Sequence, residues 1–177
     1  MDFSALLLGG GQENKRRSGT ENVAAIVAMG EAARLAKLAF GEGVPDRIRE
    51  MRDSFEQSVL AGVAGSTPNG DPGNRLPNTS HISFDGCDSA GLLILLDEAG
   101  VACSAGSACM TGKQKPSHVQ LAMGIPEQRA KTSLRFSFSR LNTLDEASEA
   151  AARVIKAVEK LRRVQGNGVG PVAVYTS

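Results

Sequence analysis

Apolar residues recur at helical spacing in three stretches. Ile48, Met51, Phe55 and Val59 form one stripe, and Val44-Pro45 before it marks a helix start, with Gly62 as the stop. Leu92, Leu93, Leu96 and Ala99 form a second, capped by Asp88 or Ser89 and ended at Gly100. Ala147, Ala151, Val154, Val158 and Leu161 form the third. Thr143 stands three residues before Glu146 there, the spacing of a capping box. Two stretches alternate instead. In His81 to Asp85, Ile82 and Phe84 share a side; in Leu134 to Ser139, Leu134, Phe136 and Phe138 face one way and Arg135 and Ser137 the other. That period of two predicts strands.

Other segments are less regular. Ala5 to Leu8 and Val101 to Cys103 read as strand fragments. From Glu21 to Ala39 the apolar residues fall on more than one face, which predicts a helix buried or sandwiched on several sides. Short helices are expected from Pro116-Ser117, stopped by Gly124, and from Pro126 to Lys131. Residues 65 to 78 are rich in Gly, Pro and Asn and predict a long loop. The tail after Gln165 is rich in Gly, although Val172 to Tyr175 could join a sheet edge. Few strands separated by helices predict an α+β layer: a small, mainly antiparallel sheet with helices on one face. The chain has 177 residues, the size of one domain or one domain with an appendage.

Composition narrows the function classes. The formal net charge is +1 and no basic stripe is interleaved with aromatics, against nucleic-acid binding. No apolar run approaches the roughly 20 residues of a membrane span. Leu6 to Leu8 is too short for a signal peptide. A cytoplasmic protein is the expectation. Three cysteines without C-x-x-C spacing and two histidines argue against a disulfide framework or a zinc site.

Between Val101 and Pro116 the chain dissolves into Ser, Ala and Gly around Cys109. Cys109 is either a small buried hydrophobe or an exposed nucleophile on a loop able to travel. Cys103 reads as core, Cys87 lies in a turn with no evident partner, and His118 reads as a capping or solvent-facing residue, with a Cys109–His118 pair as the alternative. Arg135 points away from the core on its strand. It is either a surface charge or a guanidinium fork for a substrate carboxylate. Arg16-Arg17-Ser18-Gly19-Thr20 precedes a helix. It is either a phosphate site at a helix N-terminus or a plain helix start capped by Thr20. Neither the P-loop nor the dinucleotide pattern is completed.

Four motifs then occur in one order: G-G-G-Q-E-x-x-x-R-S-G-T-E-N-V at 9 to 23, C-S-A-G-S-A-C at 103 to 109, K-P-S-H-V-Q-L-A-M-G at 115 to 124 and S-L-R-F-S-F-S-R at 133 to 140. Together they resemble the class V aminotransferase-like cysteine desulfurases of the NifS/IscS group, over about residues 5 to 163. The resemblance implies an enzyme using pyridoxal 5′-phosphate (PLP) to take sulfur from L-cysteine, leaving L-alanine. It implies that Cys109 becomes a persulfide and passes sulfur to an acceptor, commonly an iron–sulfur scaffold protein. Arg135 would clamp the substrate carboxylate, and Thr20, Gly19 and Arg17 would lie at the PLP phosphate of the other subunit in a homodimer. No resident metal is implied; Cys109 as a transient iron–sulfur ligand is a minor alternative.

The implied fold is the small C-terminal domain of a fold-type I PLP-dependent transferase with the last piece of its large domain. Residues 1–20 would close the large domain, 21–40 form a connecting helix, 41–165 form the small domain with the Cys109 loop at 104–116, and 166–177 form a flexible tail. The sequence departs from the family in four places. The segment with the Schiff-base lysine, the aspartate for the pyridine nitrogen and the residue stacking on the ring have no counterpart here; Lys113 and Lys115 do not match that lysine. Met110 is bulkier than the small polar residue usual after the nucleophile. The expectation is a chain inactive without an N-terminal large domain. The alternatives are a non-catalytic sulfur-carrier or docking module, or a selenocysteine lyase-like enzyme.

Overall fold

The computed structural model describes residues 4–105 and 116–166. Two units divide at Gly43 and Val44. The first holds α1 (Gln12–Lys15) and α2 (Val23–Gly41). α1 is a single turn with left-handed dihedrals at Glu13 (φ 52°) and Asn14 (φ 54°). The strand expected at Ala5 to Leu8 does not form. A strand needs a neighbour for its backbone groups, and among the described residues this one finds only the Ser18 N–H, which donates to the Leu7 carbonyl (3.2 Å). Leu6 and Leu8 lie exposed. Asn22, not Thr20, caps α2, accepting the Ala25 N–H at 3.1 Å. No α2 residue is buried, against the expected sandwiched helix. Its apolar residues are spread around the axis, so no single layer covers them.

The second unit holds α3 (Val44–Gly62), β1 (Ser66–Pro68), β2 (Thr79–Phe84), α4 (Ser89–Glu98), α5 (His118–Ala122), α6 (Glu127–Ala130), β3 (Ser133–Ser137) and α7 (Leu144–Gln165). The strands form one antiparallel sheet in the order β1-β2-β3. Alternation decides its faces. Ile82, Phe84, Leu134 and Phe136 are buried and join Phe55 and Val59 of α3, Leu92 and Leu96 of α4, and Val154 and Val158 of α7 in one core. Phe55 anchors it, its ring centroid 4.8 Å from that of Phe136 and 5.3 Å from that of Phe138. The fold is α+β, as expected. The structure adds that the opposite face is partly covered: Gln120 of α5 donates to Ser133 Oγ, and Ser83 Oγ donates to the Arg129 carbonyl of α6.

The helix ends follow local chemistry. Asp88 caps α4 by accepting the Gly91 N–H at 2.9 Å. Thr143 and Glu146 form the reciprocal capping box on α7. Two expectations change. The loop 65 to 78 contains β1, a short edge strand on which Pro68 is tolerated. Val101 to Cys103 forms no strand; only Ser104 bridges to Arg135. Gly100 to Ala102, Phe136 to Phe138 and the first turns of α7 line a groove of about 460 Å³. Val172 to Tyr175 lie outside the described residues.

Candidate functional site

Arg135 stands on the polar face of β3, exposed as the alternation predicts. Its neighbour across β2 is His81. The Arg135 N–H donates to the Ser104 carbonyl (2.8 Å), and its carbonyl accepts the Ser104 N–H (3.0 Å). Both backbone groups therefore point away from β2, which makes His81–Arg135 a non-hydrogen-bonded pair, the kind whose side chains lie closest. The two side chains line a cleft of about 360 Å³ with Asn69, Gly70, Arg75, Leu76, Thr79 and Ser137.

The cleft is electropositive. Arg75 is already paired, its guanidinium donating twice to Glu56 (2.6 and 2.8 Å) with Asp53 at 3.9 Å. Glu56 also accepts the Ser80 hydroxyl at 2.7 Å. Burial alone would raise the Glu56 carboxyl, but the bonds from Arg75 and Ser80 and the nearby Arg52 outweigh it and hold the group below the usual carboxylate range. No carboxylate among the described residues pairs with Arg135. Its fork is open to an anion, as a carboxylate clamp requires.

His81 and Gln120 are the residues that sequence reasoning missed. Gln120, 3% exposed, brings its side-chain amide nitrogen to 2.9 Å from His81 Nε2 and 2.6 Å from Ser133 Oγ. Burial and the adjacent Arg135 push the His81 imidazole down to about 4, so it is neutral at ordinary pH. The available signal was the parity of β2: a residue flanked by buried Ser80 and Ile82 must face the polar side.

The phosphate candidates lie in the first unit. Arg17 Nη1 donates to the Gly19 and Thr20 carbonyls (3.0 and 2.9 Å), folding its cation back over the segment. Gly19 has φ +100°, and a Cβ there would meet Arg17 Nη1 at 3.4 Å; glycine keeps that space open. A cation, a hydroxyl and backbone without a side chain, just before a 19-residue helix, suit a phosphate as a donor set.

Cys109 lies outside the described residues, as do Gly106, Ser107, Met110, Lys113 and Lys115. Cys103 is half-buried; burial, with Asp97 adding, raises its thiol to about 11. Cys87 is fully buried, and burial raises its thiol as well. Both are poor thiolates, in keeping with structural roles. His118 is exposed, and Ser117 occupies the N-cap of α5. Among the described residues no cluster of His, Cys, Asp and Glu could hold a metal ion, and no helix is long and apolar enough to cross a membrane.

Comparison with known proteins gives consistent results. The cysteine desulfurase NifS of Azotobacter vinelandii is 44% identical over 172 residues, 96% of this chain and 42% of that protein. The cysteine desulfurase of Gluconacetobacter diazotrophicus is 41% identical over 159 residues, 90% of this chain and 40% of that protein. Among solved structures, a NifS-like protein from Rickettsia africae superposes with a TM-score of 0.73 at 31% identity, covering 92% of this chain and 41% of the other. Another NifS-like protein gives 0.75 at 27% identity, covering 89% and 39%. The chain thus spans about two fifths of the length of the curated relatives it matches. Residues 9–149 match the family described as aminotransferase class-V, and to that family, alongside proteins named cysteine desulfurase, this chain belongs.

Proposed function

We propose that this chain is the small-domain part of a PLP-dependent cysteine desulfurase. Arg135 binds the carboxylate of L-cysteine in the cleft shared with His81. Cys109 attacks the substrate sulfur and keeps it as a persulfide, L-alanine leaves, and the sulfur passes to an acceptor such as an iron–sulfur scaffold protein. Thr20, Gly19 and Arg17 meet the cofactor phosphate across a homodimer. The cofactor, when bound, supplies an electron sink that weakens the carbon–sulfur bond. The protein's share is position. The backbone of Ser104 is tied to Arg135, and Cys109 follows five residues on, within about 18 Å of contour length. The chain between them can therefore bring the thiol to a substrate held by its carboxylate.

The observation that carries this reading is the Arg135 guanidinium, which no carboxylate among the described residues pairs with, in a chain 44% identical to a protein named cysteine desulfurase. The test is mass spectrometry of the chain after exposure to a low-molecular-weight persulfide donor. One added sulfur on Cys109, and none on Cys87 or Cys103, is expected. With PLP alone the chain should not turn over L-cysteine, because it has no counterpart of the family's lysine segment. Turnover under those conditions would overturn the division of labour, and an unmodified Cys109 would overturn its role as acceptor.

A further inference from the structure

His81 has no part in the proposed reaction, yet no side chain in the sheet lies closer in register to Arg135. Resting on the carboxylate-clamp reading of Arg135, we infer that His81 is a positioning residue: held by Gln120 across the narrow strand pair, its imidazole fixes the guanidinium in the open cleft without neutralising it, and so sets the cleft's affinity for carboxylate ligands.

Three observations converge. The backbone pairing of Arg135 with Ser104 puts His81 and Arg135 in a non-hydrogen-bonded cross-strand pair, at a Cα separation of about 4.5 Å. The imidazole is anchored from the other side by a buried amide, which Ser133 holds in turn while donating its own hydroxyl to the Ala130 carbonyl at 2.8 Å. The charges around the imidazole are one-sided. β3 presents Arg135, and the 69–76 loop presents Arg75, already matched by Glu56 and Asp53 of α3; α5 presents neutral Gln120, and neutral Asn69 donates its backbone N–H to the His81 carbonyl at 2.7 Å.

Other residues at this position would act differently. A carboxylate opposite Arg135 would pair with the guanidinium and occupy its fork, because opposite charges on facing positions attract. A lysine or arginine would repel it. A small apolar residue would leave the long side chain without a wall. A half-buried neutral imidazole supplies the wall and leaves the charge free. A second consequence follows from linkage. An anion seated on Arg135 offsets the positive charge that keeps His81 unprotonated, so binding should make the imidazole easier to protonate.

NMR on the 177-residue chain tests this, with propionate as the carboxylate probe and the His81 imidazole signals as the second readout. R135Q should abolish the propionate response and move the His81 midpoint upward from about 4. H81D should weaken propionate binding by about tenfold or more, while H81N, neutral and able to hydrogen-bond Gln120, should stay within about twofold. In the wild type, saturating propionate should raise the His81 midpoint. Propionate binding by H81D equal to the wild type, or a His81 midpoint unmoved in R135Q, would overturn the role of His81. Propionate binding by R135Q equal to the wild type would instead overturn the clamp reading of Arg135. R135Q replaces an exposed side chain and leaves His81 in place, so its readout does not depend on any change in the core.

Discussion

Glu56 and His81 both titrate away from their ordinary values, for different reasons and in different pH windows. His81 is half-buried and neutral, its midpoint near 4 instead of 6.5. Above pH 6.5 folded and unfolded chains carry the same charge there, and the stabilisation is complete. As pH falls from 6.5 toward 4 the unfolded chain takes up a proton that the folded chain refuses, and stability is lost. The loss from this one group is at most about 3 kcal/mol. Urea denaturation at pH 7 and pH 5 should show the difference, and H81N should flatten it. Glu56 acts lower: its carboxyl is held below the ordinary value of 4.5, so its contribution is present above that pH and fades below it. Glu56→Ala would strip Arg75 and Ser80 of their partner inside a largely buried cluster. A loss of about 3 kcal/mol is expected, read by urea denaturation at pH 7. At this scale Arg135 was legible because its two neighbours on β3 are apolar. His81 was not, because only the pairing of two distant strands makes it the partner of Arg135.

α7 and α3 show how far local pattern carries. Both were legible from stripe and punctuation: Thr143 and Glu146 begin α7, and Val44 and Gly62 bound α3. Thr143→Ala removes the acceptor for the Glu146 N–H, and helix stability should fall by about 1 kcal/mol, seen as a lower thermal midpoint by circular dichroism. Phe55→Ala should cost far more, about 3–5 kcal/mol, because this side chain is fully buried and meets both Phe136 and Phe138. The short elements were harder. β1 is three residues long and is held in place by pairing with β2, so a reading of its own Ser-Thr-Pro sees only a loop. Val101 to Cys103 looks like a strand by composition, but among the described residues one bridge, at Ser104, is all that ties it to the sheet. Strand propensity records fit to a half-buried surface, and the surface must be there.

At the scale of the molecule, α2 stands out. Val23, Ile26, Val27, Met29, Leu35, Leu38 and Phe40 are all exposed on it, an apolar surface of the kind that marks an interaction face. The chain should self-associate in a concentration-dependent way, which sedimentation velocity would reveal. A chain beginning at Val44, which keeps the whole second unit, should stay monomeric under the same conditions and still unfold cooperatively. Association that persisted without α2 would place the sticky surface elsewhere.

Periodicity and punctuation in the sequence determined the three long helices of the second unit, the two longer strands, the faces of those strands and the order of the motifs that mark the family. These are local properties: a stripe, a cap or an alternation needs no distant residue to be read. Tertiary structure alone decided that Arg135 faces His81, that Gln120 holds the imidazole, that Arg75 is satisfied by Glu56 while no carboxylate among the described residues pairs with Arg135, and that the apolar side chains of α2 lie exposed. Each of these depends on which strands pair and which surfaces meet, and a single chain of letters carries no signal of register between segments fifty residues apart.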